Sequence, residues 1–221
     1  MRLWLPTALL LLAGCGPVTP MSDETSRAPL PDYTVSGSAS RVFEIDPSRS
    51  LLLVRTGRTG RASRFGHDHA IASESLAGFI EIHDDPDRSR ADLAFAVREL
   101  IVDKAEYRDR LALDTEPSES DIAGTYTNML KVLAPEEQAW VMLSVRPAEP
   151  GIFAVSATVR GTTAEYLVPV VMVEQDDRLN VTAELVVAHS DFALEPFTAL
   201  GGLLGVADDL SVSIELQAAA R

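Results

Sequence analysis

Three stretches of the chain alternate apolar and polar residues strictly. Ser89 to Arg98 puts Ala91, Leu93, Phe95 and Val97 on one face, with Asp92 and Arg98 on the other. Gly151 to Arg160 sets Phe153, Val155, Ala157 and Val159 against Ser156, Thr158 and Arg160. Leu210 to Leu216 opposes Leu210, Val212, Ile214 and Leu216 to Ser211, Ser213 and Glu215. Successive side chains of a strand point to opposite faces, so a period of two predicts half-buried antiparallel strands. Further runs predict strands at 41–46, 50–57, 73–83, 138–147, 164–174 and 179–189. A mainly β domain of about eight or nine strands is expected over 41–219, built as a sandwich or a closed barrel.

One segment follows a different period. Ser118 with Asp121 three residues on gives a capping-box start, and Ile122, Tyr126, Met129, Leu130 and Leu133 recur at helical spacing before Pro135. Amid strands, such an amphipathic helix is expected to pack across one end of the sheet structure.

The N-terminus is read apart from the fold. Arg2, the apolar run Leu3 to Leu12 and the small residues Ala13 and Gly14 predict a signal peptide over 1–14. The run is too short to span a bilayer as a helix, which takes about 20 residues. Leu12-Ala13-Gly14-Cys15 resembles the lipobox of bacterial lipoproteins, with Cys15 the only cysteine of the chain. That resemblance implies a lipid on the Cys15 thiol and leaves no thiol for a disulfide. Gly16, where an inner-membrane retention signal carries Asp, implies an outer-membrane anchor facing the periplasm. Pro17, Pro20, Pro29 and Pro31, spread among Ser, Thr and acidic residues, read as a tether over 15–40.

Charge narrows the partners. Cleavage before Cys15 removes Arg2 and takes the net charge from −14 to −15. A body this acidic is repelled by nucleic acid and by anionic membrane surfaces, so no nucleic-acid partner is expected and membrane contact falls to the lipid on Cys15.

The candidate chemistry is sparse. If residues 66–72 are extended, His67 and His69 share a face, and two such imidazoles with His189 as third ligand could hold a divalent metal. His189 follows Val181, Ala183, Leu185 and Val187 in alternation and is expected to face inward. The other reading makes His67 and His69 loop residues and His189 a satisfied barrel histidine. His83 has the parity opposite to Leu76, Ile80 and Ile82 and is expected at the surface. Ser190-Asp191 beside His189 turn to different faces, and no Gly-x-Ser-x-Gly elbow or phosphate-binding Gly loop exists, so no catalytic residue and no enzymatic activity are expected. The pairs Asp84-Asp85, Asp176-Asp177 and Asp208-Asp209 read as solvated turn residues. Gly201 to Gly205 reads as a flexible corner before the last strand.

Several of these segments, in this order, resemble the YceI-like family of lipocalin-like envelope barrels. Phe43-Glu44-Ile45-Asp46-Pro47-Ser48-Arg49-Ser50 is similar to its first strand and turn, and Arg108-Asp109 to its Arg-Asp step. Met129 to Leu133 resembles its helix, and Val159-Arg160-Gly161-Thr162-Thr163 its late strand and turn. His189-Ser190-Asp191-Phe192, Pro196-Phe197 and Gly201 through Asp208 resemble its closing segment. The chain departs from it in an aromatic content of 6% and in the acidic stretch Asp114 to Asp121. The resemblance implies a single antiparallel barrel of about eight strands and a small apolar, isoprenoid-type lipid as ligand. Under it Phe95, Phe153, Val155, Ala183, Leu185, Val187 and His189 would line the interior. The same small apolar residues would equally build a filled core, so a purely structural module stays open.

Overall fold

A computed structural model describes residues 33–134 and 139–221. The signal peptide, Cys15, most of the tether and Pro135 lie outside the described residues. Among the described residues no helix is long and apolar enough to cross a membrane.

The strands run in chain order as β1 (Arg41–Ile45), β2 (Leu51–Thr59), β3 (His69–Ser73), β4 (Ala77–Ile82), β5 (Arg90–Ala96) and β6 (Ile101–Val102). There follow β7 (Trp140–Glu149), β8 (Ile152–Val159), β9 (Thr162–Gln175), β10 (Arg178–Ala188), β11 (Thr198–Ala199) and β12 (Leu204–Ala220). Their order around the sheet is β1-β4-β5-β7-β8-β9-β10-β12, and β12 pairs back with β1 to close a barrel. Every pairing is antiparallel. The eight-stranded barrel with few helices is the one that the alternating runs and the family resemblance imply.

One predicted strand is broken. The strand expected at 73–83 divides into β3 and β4, and β2, β3 and β6 continue the sheet beside the first half of β12. Gly78, directly after the break, has φ +150°, and a Cβ there would lie 2.0 Å from the Asp92 carbonyl oxygen. Only glycine lets β4 approach β5 this closely.

The helix α2 (Glu119–Leu133) begins as its sequence predicts. Ser118 Oγ accepts from Asp121 N–H at 3.3 Å, and the Asp121 carboxylate accepts from Ser118 N–H at 3.0 Å. It covers one end of the barrel with Met129 buried and Ile122, Tyr126, Leu130 and Leu133 packed on the same core. A second helix, α1 (Ala105–Arg110), is too short to show a period. It buries Tyr107 against Leu53, Ala70 and Ala72, the outward residues of β2 and β3.

Leu93, Phe95 and Val97 are buried and Arg98 is exposed, whereas Asp92 is half-buried. Phe95→Ala is expected to destabilise the protein by about 3 kcal/mol, the low end for such a change because the ring borders open space; urea unfolding checks this. Residues 33–40 close the expected tether. There the chain lies on the barrel, with Ser36 N–H donating to Glu81 Oε1 at 3.0 Å and Arg90 donating to the Thr34 carbonyl at 2.7 Å. His83 is accordingly buried at 8% exposure, not at the surface, because this segment and the turn after β4 fold over the outer face of β4. Asp208 departs from the turn reading too: it lies in β12 and accepts from the backbone N–H of Ser190 at 2.9 Å.

Candidate ligand cavity

The interior of the barrel is hollow. One compartment of about 490 Å³ lies under α2, and a second of about 470 Å³ lies toward the other end. Each is in the range of roughly 300–1,000 Å³ typical of small-molecule sites. Leu143, Val155, Leu185 and Ile214 border both compartments and form a waist between them. Inward side chains of neighbouring strands share this level: Leu143 stands two residues from Val145, the partner of Val155, and Leu185 pairs with Val212 beside Ile214. Alternation alone therefore produces an apolar tube.

The structure distributes the seven predicted lining residues between the compartments. Phe95, Val187 and His189 border the one under α2, Phe153 and Ala183 the other, and Val155 and Leu185 both. The β9–β10 ladder stops at the far compartment, at Val170↔Ala183 next to Pro169, which has no N–H to donate, and leaves a gap toward the compartment under α2. There Tyr166 donates its hydroxyl to Asp191 at 2.7 Å, and Phe192 and Leu194 pack inward.

Polar groups gather at the α2 end. Thr56 on β2 stands directly opposite His69 on β3, so both side chains enter the first compartment from one face. His69 Nδ1 lies 2.6 Å from Asp103 Oδ2. The fully buried Asp103 carboxylate also accepts from Ala70 N–H at 2.9 Å and from Arg108 at 2.5 Å. Burial alone would raise the Asp103 carboxyl; the hydrogen bonds from His69, Ala70 and Arg108 and the electrostatic attraction of His69 outweigh it and hold it below the usual carboxylate range. Because the carboxylate only accepts, the His69 proton is fixed on Nδ1, and Nε2 faces Thr125 Oγ1 at 3.5 Å.

The three histidines read as a metal set do not converge. His67 precedes β3 and its ring centroid stands 6.3 Å from that of His69. His69 spends Nδ1 on Asp103, and His189 Nδ1 faces the Asp208 carbonyl at 3.0 Å. Among the described residues no three His, Cys, Asp or Glu side chains group to hold a metal ion.

A second polar cluster borders the far compartment. Glu81, 3% exposed, accepts from Arg90 at 2.7 Å, with His83 Nε2 3.6 Å from its other oxygen. Burial pushes the Glu81 carboxyl up, but the hydrogen bonds from Arg90 and Ser36 N–H hold it below its ordinary value.

Sequence reasoning missed Thr56, Asp103 and Glu81. For Thr56 a signal existed, since it shares parity with Leu52 and Val54 in the run 50–57. Asp103 has none, because its partners come from β3 and α1 through tertiary packing.

No family model and no curated protein matches the chain. Among solved structures it is similar to a polyisoprenoid binding domain from Saccharophagus degradans implicated in plant cell wall breakdown. The two are 14% identical, with a TM-score of 0.55 over 81% of this chain and 98% of that one. BcnA of Burkholderia cenocepacia is matched at 16% identity and a TM-score of 0.46, over 78% of this chain and 98% of that one. The first likeness shows a shared fold: the chain is a closed lipocalin-like barrel of the kind that its resemblance to the YceI-like family implies.

Proposed function

We propose that the chain is a non-enzymatic binding protein that holds an apolar, isoprenoid-like lipid inside its barrel. The observation that carries this is the pair of apolar compartments inside the barrel, which share Leu143, Val155, Leu185 and Ile214 as a common wall. Each methylene transferred there from water contributes about 0.8 kcal/mol, so a flexible prenyl chain suits the tube without any directed contact along its length. The binding activity of the Saccharophagus degradans domain of the same fold supports the reading. On the sequence signals at Cys15, the protein works from a lipid anchor in the bacterial envelope, on the periplasmic face of the outer membrane.

A fluorescent prenyl alcohol titrated into delipidated protein tests the cavity. Wild type is expected to bind it well above the level of serum albumin. Ala183→Phe, which fills part of the far compartment, is expected to weaken binding about tenfold or more, since expelling two methylenes already costs that much. Binding at the albumin level by wild type would return the barrel to a structural role. Metabolic labelling with a fatty-acid analogue tests the anchor separately: wild type takes up label, and label on Cys15→Ser would refute it.

A further inference from the structure

Thr56 is 4% exposed, lines the compartment under α2, and its hydroxyl has no hydrogen-bond partner among the described residues. His67 lines the same compartment, and its buried Nδ1 also lacks a partner among the described residues. Native structures rarely leave such groups unsatisfied, because desolvating them without compensation is costly. Two orphans at the polar end of one compartment, beside a histidine whose orientation is fixed from behind, have the makings of a recognition site.

Resting on the lipid-binding reading above, we propose that the bound lipid carries one uncharged hydroxyl head, seated between Thr56 Oγ1 and His69 Nε2. The pairing of Thr56 with His69 across β2 and β3 brings their Cβ atoms within about 5 Å, so one small head group can reach both side chains. In the tautomer with its proton on Nδ1, toward Asp103, the His69 ring offers Nε2 as an acceptor. Thr56 Oγ1 supplies the complementary donor. A hydroxyl satisfies Thr56 and takes the place of the 3.5 Å Thr125 contact at His69 Nε2, whereas a hydrocarbon does neither and a carbonyl only the first.

The surrounding charges disfavour a phosphate head. The Asp121 carboxylate lines this compartment and stands 4.0 Å from His67 Nε2, with Asp103 behind His69. The one arginine that lines it, Arg58, is already engaged by Gly66 O at 3.0 Å and by the Asp68 and Asp114 carboxylates at 3.7 Å and 3.4 Å. A new anion would have to displace those partners.

The test compares geranylgeraniol, geranylgeranyl phosphate and the hydrocarbon of equal chain length on wild type and on Thr56→Val. The valine keeps the shape and removes a hydroxyl that has no partner to lose, so the variant is expected to melt at or above wild type. Wild type should bind the alcohol about tenfold more tightly than either the hydrocarbon or the phosphate. In Thr56→Val the preference over the hydrocarbon should fall to about threefold or less, with hydrocarbon affinity unchanged or improved. If alcohol and hydrocarbon bind wild type equally, or Thr56→Val leaves the preference intact, the head site is overturned while lipid binding stands. Tighter binding of the phosphate than of the alcohol likewise overturns it. If wild type binds none of the three, the lipid reading itself falls and takes the head site with it.

Discussion

Asp103→Asn is expected to lower the stability of the folded barrel by about 3–5 kcal/mol near neutral pH, seen as a large drop in the urea midpoint. The carboxylate is buried with Arg108 Nη1 at 2.5 Å and His69 Nδ1 at 2.6 Å. Arg108 is itself buried and also donates to the carbonyls of Asp68, at 2.9 Å, and Thr115. Removing the negative charge leaves the guanidinium buried with carbonyl partners only, the uncompensated state that makes broken buried pairs costly. The pH dependence follows from the direction of the Asp103 shift. Its carboxyl titrates lower in the folded state than in the unfolded chain, where it titrates near 3.9. The stabilisation is therefore fully present above about pH 4 and is lost as the pH falls through the folded value. Urea unfolding at a series of pH values should show wild type and Asp103→Asn converging below about pH 4. A stability gap that persists undiminished to about pH 3 would show that the carboxylate charge is not its source.

The waist should set the length of lipid that fits. Val155 and Leu185 border both compartments, so a larger side chain at either position thickens the wall between them while leaving most of each chamber open. Val155→Phe and Leu185→Phe are each expected to confine a prenyl chain to one compartment. Geraniol, short enough for one chamber, should lose less than about threefold in affinity. Geranylgeraniol should lose more than about tenfold, because each methylene denied burial costs about 0.8 kcal/mol and several are denied together. Overpacking a core typically costs about 1–3 kcal/mol, so both variants should remain folded, which circular dichroism checks. Equal losses for the short and the long alcohol would mean that the compartments act as separate sites. No loss for either would place the lipid elsewhere.

The sequence was informative wherever an interaction is local. Strict alternation in 89–98, 151–160 and 210–216 reports which face turns inward, and Leu93, Phe95, Val155, Ala157, Val212 and Ile214 line the barrel interior as it says, although Ala94 and Ala96 on the other face of β5 are buried too. Ser118 and Asp121 lie within one helical turn, so the start of α2 is written in adjacent residues. The pattern failed where a strand is covered on both faces. His83 obeys the alternation of β4, but residues 33–40 and the turn after β4 bury the outer face too, and no local signal reports that.

The candidate site divides along the same line. By itself the sequence determined that the inward surface is apolar and small, that His189 ends an inward-facing run, and that no nucleophile has its base at a recognisable spacing. The tertiary structure decided that this surface encloses space instead of filling it. A packed core and a lined cavity use the same residues, and only the barrel circumference separates them. Tertiary structure also decided that Thr56 meets His69, a matter of β2–β3 register that no single strand specifies. It turned His69 toward Asp103, because the partner that fixes an imidazole ring comes from 34 residues along the chain.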